Sequence, residues 1–163
     1  GLKHDGKEIQ PIAIANRPDA GMILFRNGQM VIESAYQAEM KNLADFPAVL
    51  PTLPLLLLEG KKREFADESY LTTPQPRSAV GMAPGNTVYF LVIDGRMAPA
   101  HGMTCSDLAE IFQKLQCTVA VNLDGGGSAA LWLKGRGIVS YPCDNKTFDH
   151  NGERNVNDAI VVR

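Results

Sequence analysis

One stretch of this 163-residue chain concentrates groups that could do chemistry. Asn122-Leu123-Asp124-Gly125-Gly126-Gly127-Ser128 follows directly on the apolar run Val119-Ala120-Val121. In a strand, alternation puts Asn122 and Asp124 on one face and Val121 and Leu123 on the other. Two polar groups side by side at a strand's end are costly in a core unless they serve something. Three consecutive glycines allow positive φ and close backbone approach, so their N–H groups could cradle an anion. The same residues would also make a plain tight turn, with Asp124 bonded to its own backbone. No Gly-Lys-Ser/Thr follows, which excludes a Walker loop. The glycines run on into another strand rather than opening a helix, which excludes the dinucleotide fingerprint.

Three further places deliver polar residues at strand ends. Arg77-Ser78-Ala79-Val80-Gly81 sets an arginine at the mouth of a strand. Asp94-Gly95-Arg96 follows the apolar run Val88 to Ile93, with His101-Gly102 just beyond. Glu153-Arg154 precedes the terminal run Ala159-Ile160-Val161-Val162. An arginine offers a planar fork suited to phosphate or carboxylate, which lysine cannot match. Taken singly, each place has an ordinary reading: a turn dipeptide at Asp94-Gly95, a surface ion pair at Arg77 or Arg154, a loop hydrogen bond at His101.

The elements that would position these residues are short strands punctuated by glycine, with one clear helix. Met22–Arg26 and Gln29–Glu33 flank Asn27-Gly28, a strong two-residue hairpin signal. Ser34 to Leu43 reads as a short helix of weak periodicity. Pro51 and Pro54 speak against a helix over Ala48 to Leu58, and Leu55–Leu58 reads as a buried strand. Lys61-Lys62-Arg63 reads as a solvated turn and residues 66–76 as a loop. Further strands are expected at Arg77–Met82, Thr87–Ile93, Thr118–Leu123, Ala129–Leu133, Ile138–Tyr141 and Ala159–Val162. Trp132, inside an apolar run, is expected in the core. The helix is Ser106 to Gln116, with Leu108, Ala109, Ile111, Phe112 and Leu115 on one face. Thr104 caps it, and Asp107 three residues on completes a capping box. The fold class is α+β: one domain over residues 1–163, a mixed sheet with one main amphipathic helix (about 105–116) packed on it.

Composition narrows the function. Sixteen Lys and Arg against 18 Asp and Glu give a net charge of −2, without the basic excess of a nucleic-acid binder. The longest apolar stretch, Leu53 to Leu58, is far too short to cross a bilayer as a helix. Three cysteines leave at least one unpaired. Cys105 and Cys117 at opposite ends of a helix are separated by roughly 18 Å, beyond disulfide reach. Cys143 could pair with either only if the fold brought it close. Most of these thiols suit small buried hydrophobes, and no Cys/His spacing suggests zinc.

Taken in order, Arg77-Ser-Ala-Val-Gly81, Asp94-Gly95 with His101-Gly102 and the helix, Asn122-Leu-Asp-Gly-Gly-Gly-Ser128, Tyr141-Pro142 and Arg154-Asn-Val156 resemble the phosphodiester glycosidase family. The resemblance is densest from Arg77 to Val162, and the Asn-Leu-Asp-Gly-Gly-Gly-Ser segment (Asn122–Ser128) is its most specific part. Family domains usually begin with further strands carrying an Asn-x-x-Phe-like motif. That segment is not found here, so the chain is read as a trimmed or a minimal member.

The resemblance implies a hydrolase that removes a sugar, typically N-acetylglucosamine, from a sugar-1-phosphodiester or phosphoglycan by C1–O cleavage. It also implies an extracytoplasmic setting, secreted or in a bacterial envelope, with exopolysaccharide-related substrates. For that chemistry Arg77 and Arg154 are the candidate phosphate clamp, with the Gly125, Gly126 and Gly127 N–H groups as partners. Asp124 and Asp94 are the carboxyl pair that glycoside hydrolysis ordinarily needs, and Glu153 is the reserve. Asn122, Ser128 and His101 are assigned to sugar hydroxyls or the N-acetyl group. No cofactor is required. One alternative is a P–O-cleaving phosphodiesterase in which Asp94, Asp124 and Asp144 hold Ca²⁺ or Mg²⁺. The other is a glycan-binding module without catalysis.

Overall fold

A computed structural model describes residues 2–10, 18–39 and 41–162. Two five-stranded sheets form the body of the molecule. The first holds β1 (Leu2–His4), β2 (Lys7–Gln10), β3 (Gly21–Arg26), β4 (Gln29–Ser34) and β5 (Ala48–Thr52), in the order β2-β1-β5-β3-β4. The second holds β6 (Leu55–Leu58), β7 (Lys61–Lys62), β8 (Arg77–Ala83), β9 (Thr87–Ile93) and β10 (Val119–Asn122), in the order β7-β6-β10-β8-β9. A separate hairpin pairs β11 (Trp132–Leu133) with β12 (Gly137–Ile138). The α+β class stands, with a refinement. There are two principal sheets rather than one mixed sheet, and every described pairing is antiparallel.

The sheets pack face to face. Ile23 and Ile32 of the first meet Leu55, Val80 and Val121 of the second in a buried cluster. The outer face of the first sheet is covered by α1 (Ala35–Glu39), which buries Ala35 and Ala38 against Met22, Leu24 and Val49. The outer face of the second sheet is covered by α3 (Cys105–Lys114), which buries Leu108, Ala109 and Phe112 against Leu57, Ala79 and Ala120. The layers therefore run helix, sheet, sheet, helix. Leu55, Leu56 and Leu57 are all buried because the β6–β10 register slips between Ala120 and Val121. The extra residue, Leu56, joins Leu57 on the helix side. Gly81 lets α3 approach: a Cβ there would lie 2.5 Å from the Phe112 ring.

The local chemistry explains the elements that match expectation. Asn27 and Gly28 both take positive φ, 53° and 72°, as a type I′ hairpin turn requires. The α3 capping box is complete: Asp107 N–H donates to Thr104 Oγ1 at 3.1 Å, and Thr104 N–H donates to Asp107 Oδ2 at 2.9 Å. All three cysteines are free and buried. Burial pushes the Cys105 and Cys117 thiols up, with Arg77 a smaller opposing influence on Cys105.

Several expectations need correction. Lys61-Lys62 is an edge strand, not a turn. The reversal is made one step earlier at Glu59-Gly60, both at positive φ, and Lys62 Nζ donates to Glu110 Oε1 at 2.8 Å. Residues 66–76 contain a single helical turn, α2 (Ser69–Thr72). The expected helix over Ser34 to Leu43 shortens to α1, with Ser34 in β4 and Leu43 opening a 3₁₀ turn. Ala159–Val162 makes no ladder; Ile160 instead packs at the margin of the inter-sheet cluster. Trp132 is 61% exposed, because its two-stranded hairpin has no sheet behind it.

Candidate active site

Antiparallel pairing gathers the chemistry at one end of the second sheet. In the β8–β9 pair Arg77 lies opposite Ile93, so β8 begins where β9 ends. In the β8–β10 pair Asn122 lies opposite Ala79, so β10 ends at the same edge. Asp94 and Asp124, the residues just past those two strand ends, therefore flank the entry to β8. Pro76 sits between them. Gly95 approaches it so closely that a Cβ would lie 2.6 Å from Pro76 N, and Gly126 N–H donates to Pro76 O at 2.9 Å from the other side.

The loop from 139 to 154 closes over this edge. Asp94 Oδ1 accepts the Tyr141 N–H at 2.8 Å. Asp144 N–H donates to Gly152 O at 3.1 Å, and the His150 Nδ1 lies 2.7 Å from Ser140 O, so the loop is tied at its neck. Tyr141 stacks on Phe148 with centroids 4.0 Å apart and lies 4.3 Å from the tilted His150 ring. On the loop's far side Arg154 grips Asp144 side-on, Nε to Oδ2 at 2.6 Å and Nη2 to Oδ1 at 2.9 Å. This pair lies directly over Gly127. A Cβ at that position would meet Asp144 Oδ1 at 1.9 Å and Arg154 Nη2 at 2.5 Å. Arg96 completes the arrangement. Its Nε donates to Gln75 Oε1 at 2.7 Å, and its Nη1 would be 3.1 Å from a Cβ on Gly126.

The charges alternate around the glycine turn. The hydrogen bond from Arg154 holds the Asp144 carboxyl below its ordinary range, with Arg96 adding a smaller pull. Arg154 is held above its ordinary value by Asp144 first and by the field of Asp124 as a lesser cause. Asp124, Arg154, Asp144 and Arg96 thus form a sequence of opposite neighbours, solvent-accessible on their outer side. Asp124 Oδ1 accepts Gly125 N–H at 2.9 Å, the local turn bond weighed above as the plain reading.

The structure separates the expected site residues into two groups. Asp94, Asp124, Gly125, Gly126, Gly127 and Arg154 come together, and Ser128 lies on the same turn as the end of its 3₁₀ segment. Arg77 does not face outward. It is 4% exposed, and its guanidinium donates to Met103 O at 2.9 Å, Tyr70 O at 2.6 Å and Thr73 O at 3.1 Å. Its fork is occupied by carbonyls left open by the short α2 and by the loop before α3, so it stands outside the anion-facing surface expected of it. Asn122 is 5% exposed, too buried to meet a sugar. Its Nδ2 donates to Leu53 O at 2.9 Å and Leu123 O at 2.6 Å, and its carbonyl accepts the Thr52 hydroxyl, clasping the two sheets. Its Oδ1 is buried without a hydrogen-bond partner. The three-glycine cradle is likewise reduced, since the Gly125 and Gly126 N–H groups are taken by Asp124 and Pro76. His101 and Glu153 are exposed, His101 in the loop whose carbonyl accepts Arg96 N–H at 3.4 Å.

Sequence reasoning passed over Arg96 and gave Asp144 only a metal-binding role. Arg96 was legible in the Asp94-Gly95-Arg96 triplet, but nothing in the spacing said that it would lie against Gly126. Among the described residues no three His, Cys, Asp or Glu side chains gather as a metal-ligand set, so Asp94, Asp124 and Asp144 do not converge on one point.

The two-sheet α+β domain thus brings two carboxylates, Asp94 and Asp124, and two exposed arginines, Arg96 and Arg154, to one edge of its second sheet. The family model for phosphodiester glycosidase matches residues 2–163, and the chain belongs to that family. It is 28% identical over 122 residues to the N-acetylglucosamine-1-phosphodiester alpha-N-acetylglucosaminidase of Bos taurus, covering 75% of this chain and 19% of that protein. It is 34% identical over 68 residues to the SPbeta prophage-derived uncharacterized protein YomE of Bacillus subtilis (strain 168), covering 42% of this chain and 11% of that protein. The fold is shared with the catalytic domain of the zebrafish N-acetylglucosamine-1-phosphodiester alpha-N-acetylglucosaminidase, auto-inhibited by its pro-peptide, at TM-score 0.60 and 22% identity. That match covers 75% of this chain and 44% of the zebrafish chain. The chain thus spans less than half the length of each of these relatives. No helix among the described residues is long and apolar enough to cross a membrane.

Proposed function

We propose that this chain hydrolyses a sugar-1-phosphodiester at the C1–O bond. Water adds to the anomeric carbon, the sugar leaves with a new hydroxyl, and the phosphate keeps its bridging oxygen as a monoester of the aglycone. One observation carries the reading: two outward arginines, Arg96 and Arg154, flank the Gly126–Gly127 turn at the sheet edge where Asp94 and Asp124 emerge. Negative charge builds on the phosphate as the C1–O bond breaks, so cations fixed there stabilise the transition state more than the ground state. Asp124 or Asp94 serves as base or nucleophile at C1. A phosphodiester is a good leaving group, which lessens the need for a strong general acid. Ser128 and His101 are assigned to sugar hydroxyls, and Glu153 remains the reserve carboxylate. The bovine relative's name supports an N-acetylglucosamine-like sugar. An extracytoplasmic setting and a phosphoglycan substrate follow from the family resemblance.

The test is hydrolysis of a simple alkyl N-acetylglucosamine-1-phosphodiester in ¹⁸O-labelled water, with mass spectrometry of both products. Label in the sugar is expected. Label in the phosphate means P–O cleavage and overturns the reading in favour of a metal-dependent phosphodiesterase. Binding without turnover overturns it in favour of a glycan-binding module.

A further inference from the structure

The side-on ion pair over Gly127 has a geometry that the reaction just proposed does not by itself require. Asp144 occupies the Nε and Nη2 edge of Arg154 with both carboxylate oxygens, at 2.6 and 2.9 Å. A carboxylate held on that edge leaves the remaining N–H groups of the guanidinium pointing away from it, since the five donors are fixed in one plane. Asp144 itself cannot swing freely. Its backbone N–H donates to Gly152 O at 3.1 Å, the loop it sits in is tied by the contact of His150 with Ser140 O, and Tyr141 is fastened to Asp94. Gly127 forms the floor, because any side chain there would occupy the space of the pair: 1.9 Å to Asp144 Oδ1 and 2.5 Å to Arg154 Nη2.

We propose that Asp144 is a positioning residue that aims Arg154 as an anion receptor, with Gly127 as the floor on which the pair rests. The ligand class is a phosphate group, as inorganic phosphate or as the phosphate of a sugar-1-phosphodiester. Arg96, against Gly126 on the adjoining side, supplies the second cation. A long arginine side chain loses considerable rotamer freedom when it binds. Asp144 removes part of that loss beforehand by fixing the guanidinium plane. The assignment rests on the hydrolase reading for its biological substrate, but its physical content is anion binding and can be measured apart from turnover.

The proposal has a sign that simple electrostatics does not share. Asp144 is an anion beside an anion site, so removing its charge should strengthen phosphate binding if only Coulomb's law operated. Positioning demands the reverse. Titration of the chain with inorganic phosphate, followed by NMR or calorimetry, is expected to show weaker binding by about tenfold in Asp144→Asn, which loses the charge-assisted fork. Gly127→Ala alters neither charge and is expected to weaken binding similarly by displacing the pair. Arg154→Lys should do the same, since an ammonium cannot keep the planar geometry. Circular dichroism of each variant separates these losses from unfolding. Phosphate binding in Asp144→Asn as tight as in the wild type, or tighter, overturns the proposal, as does a wild-type chain that binds no phosphate. Phosphate binding with the expected variant pattern but no hydrolysis of the phosphodiester would defeat the hydrolase reading and leave Asp144 in its positioning role.

Discussion

Asp94 and Tyr141, 47 residues apart in sequence, are joined by a hydrogen bond in which Asp94 Oδ1 accepts the Tyr141 N–H at 2.8 Å. That bond fastens the loop bearing Asp144 and Arg154 to the end of β9. One carboxylate oxygen is thereby committed to the fold, and the proposed reaction would use the other. Asp124 repeats the pattern, with Oδ1 on Gly125 N–H at 2.9 Å.

The two roles of Asp94 can be pulled apart by substitution. Asp94→Asn keeps an oxygen for Tyr141 N–H and loses the charge, whereas Asp94→Ala loses both. In the Asn variant kcat is expected to fall by about 10²–10⁴-fold, the usual scale for a lost acid–base group, with amide exchange in the 139–154 loop unchanged. In the Ala variant exchange at Tyr141 should accelerate as well. Asp124→Asn should behave like the first of these. An Asp94→Asn enzyme with wild-type kcat would confine Asp94 to holding the loop.

Arg77 is predicted to matter for stability. Its buried guanidinium serves three carbonyls, two from the α2 turn and one from the segment before α3. Arg77→Met fills similar space with no donor, leaving those carbonyls unsatisfied. Unfolding in urea should show a loss of about 2–4 kcal/mol, the scale of hydrogen bonds to a charged group plus stranded acceptors. A variant that unfolds like the wild type yet loses phosphate binding would return Arg77 to the anion site.

The difference between Arg77 and Arg154 also shows which parts of the site the sequence made legible. Local patterns were reliable where local physics decides: the Asn27-Gly28 turn, the α3 stripe and its Thr104–Asp107 box, and the delivery of Asp94 and Asp124 at strand ends. The direction in which an arginine leaves its strand depends on what lies opposite. For Arg77 that was a one-turn helix inside a Pro-rich segment read as loop, whose open carbonyls captured the side chain. Two polar groups at this strand end read as costly to bury, but the acceptor that holds the Asn122 amide, Leu53 O, sits in the β5–β6 connection 69 residues away in sequence, and the Asn122 Oδ1 is left buried and unpartnered. Arg96 and Asp144 became visible only when the turn at Gly126–Gly127 and the loop from 139 to 154 were brought against each other. Ala159–Val162 has the composition of a strand, yet no described edge pairs with it.

The capping box of α3 carries a pH dependence whose sign can be worked out. Asp107 accepts from both the N–H and the hydroxyl of Thr104, at 2.9 and 2.7 Å, and these bonds hold its carboxyl below the ordinary value of 3.8, with Lys62 a minor further cause. A carboxyl depressed in the folded state binds its proton more readily once unfolded. Its contribution is therefore complete above the ordinary value and is lost as the pH falls through the lower, folded value. Asp107→Asn keeps an acceptor for Thr104 but removes the charge from the first turn of the helix. At pH 7 the wild type should be the more stable in urea by about 0.5–1 kcal/mol, the scale of a cap and its interaction with the helix dipole. As the pH falls through that lower, folded value and the wild-type carboxyl takes up its proton, the two unfolding curves should converge. A gap that persists undiminished at low pH would mean that the difference lies in side-chain shape, and that the charge of Asp107 does not stabilise α3.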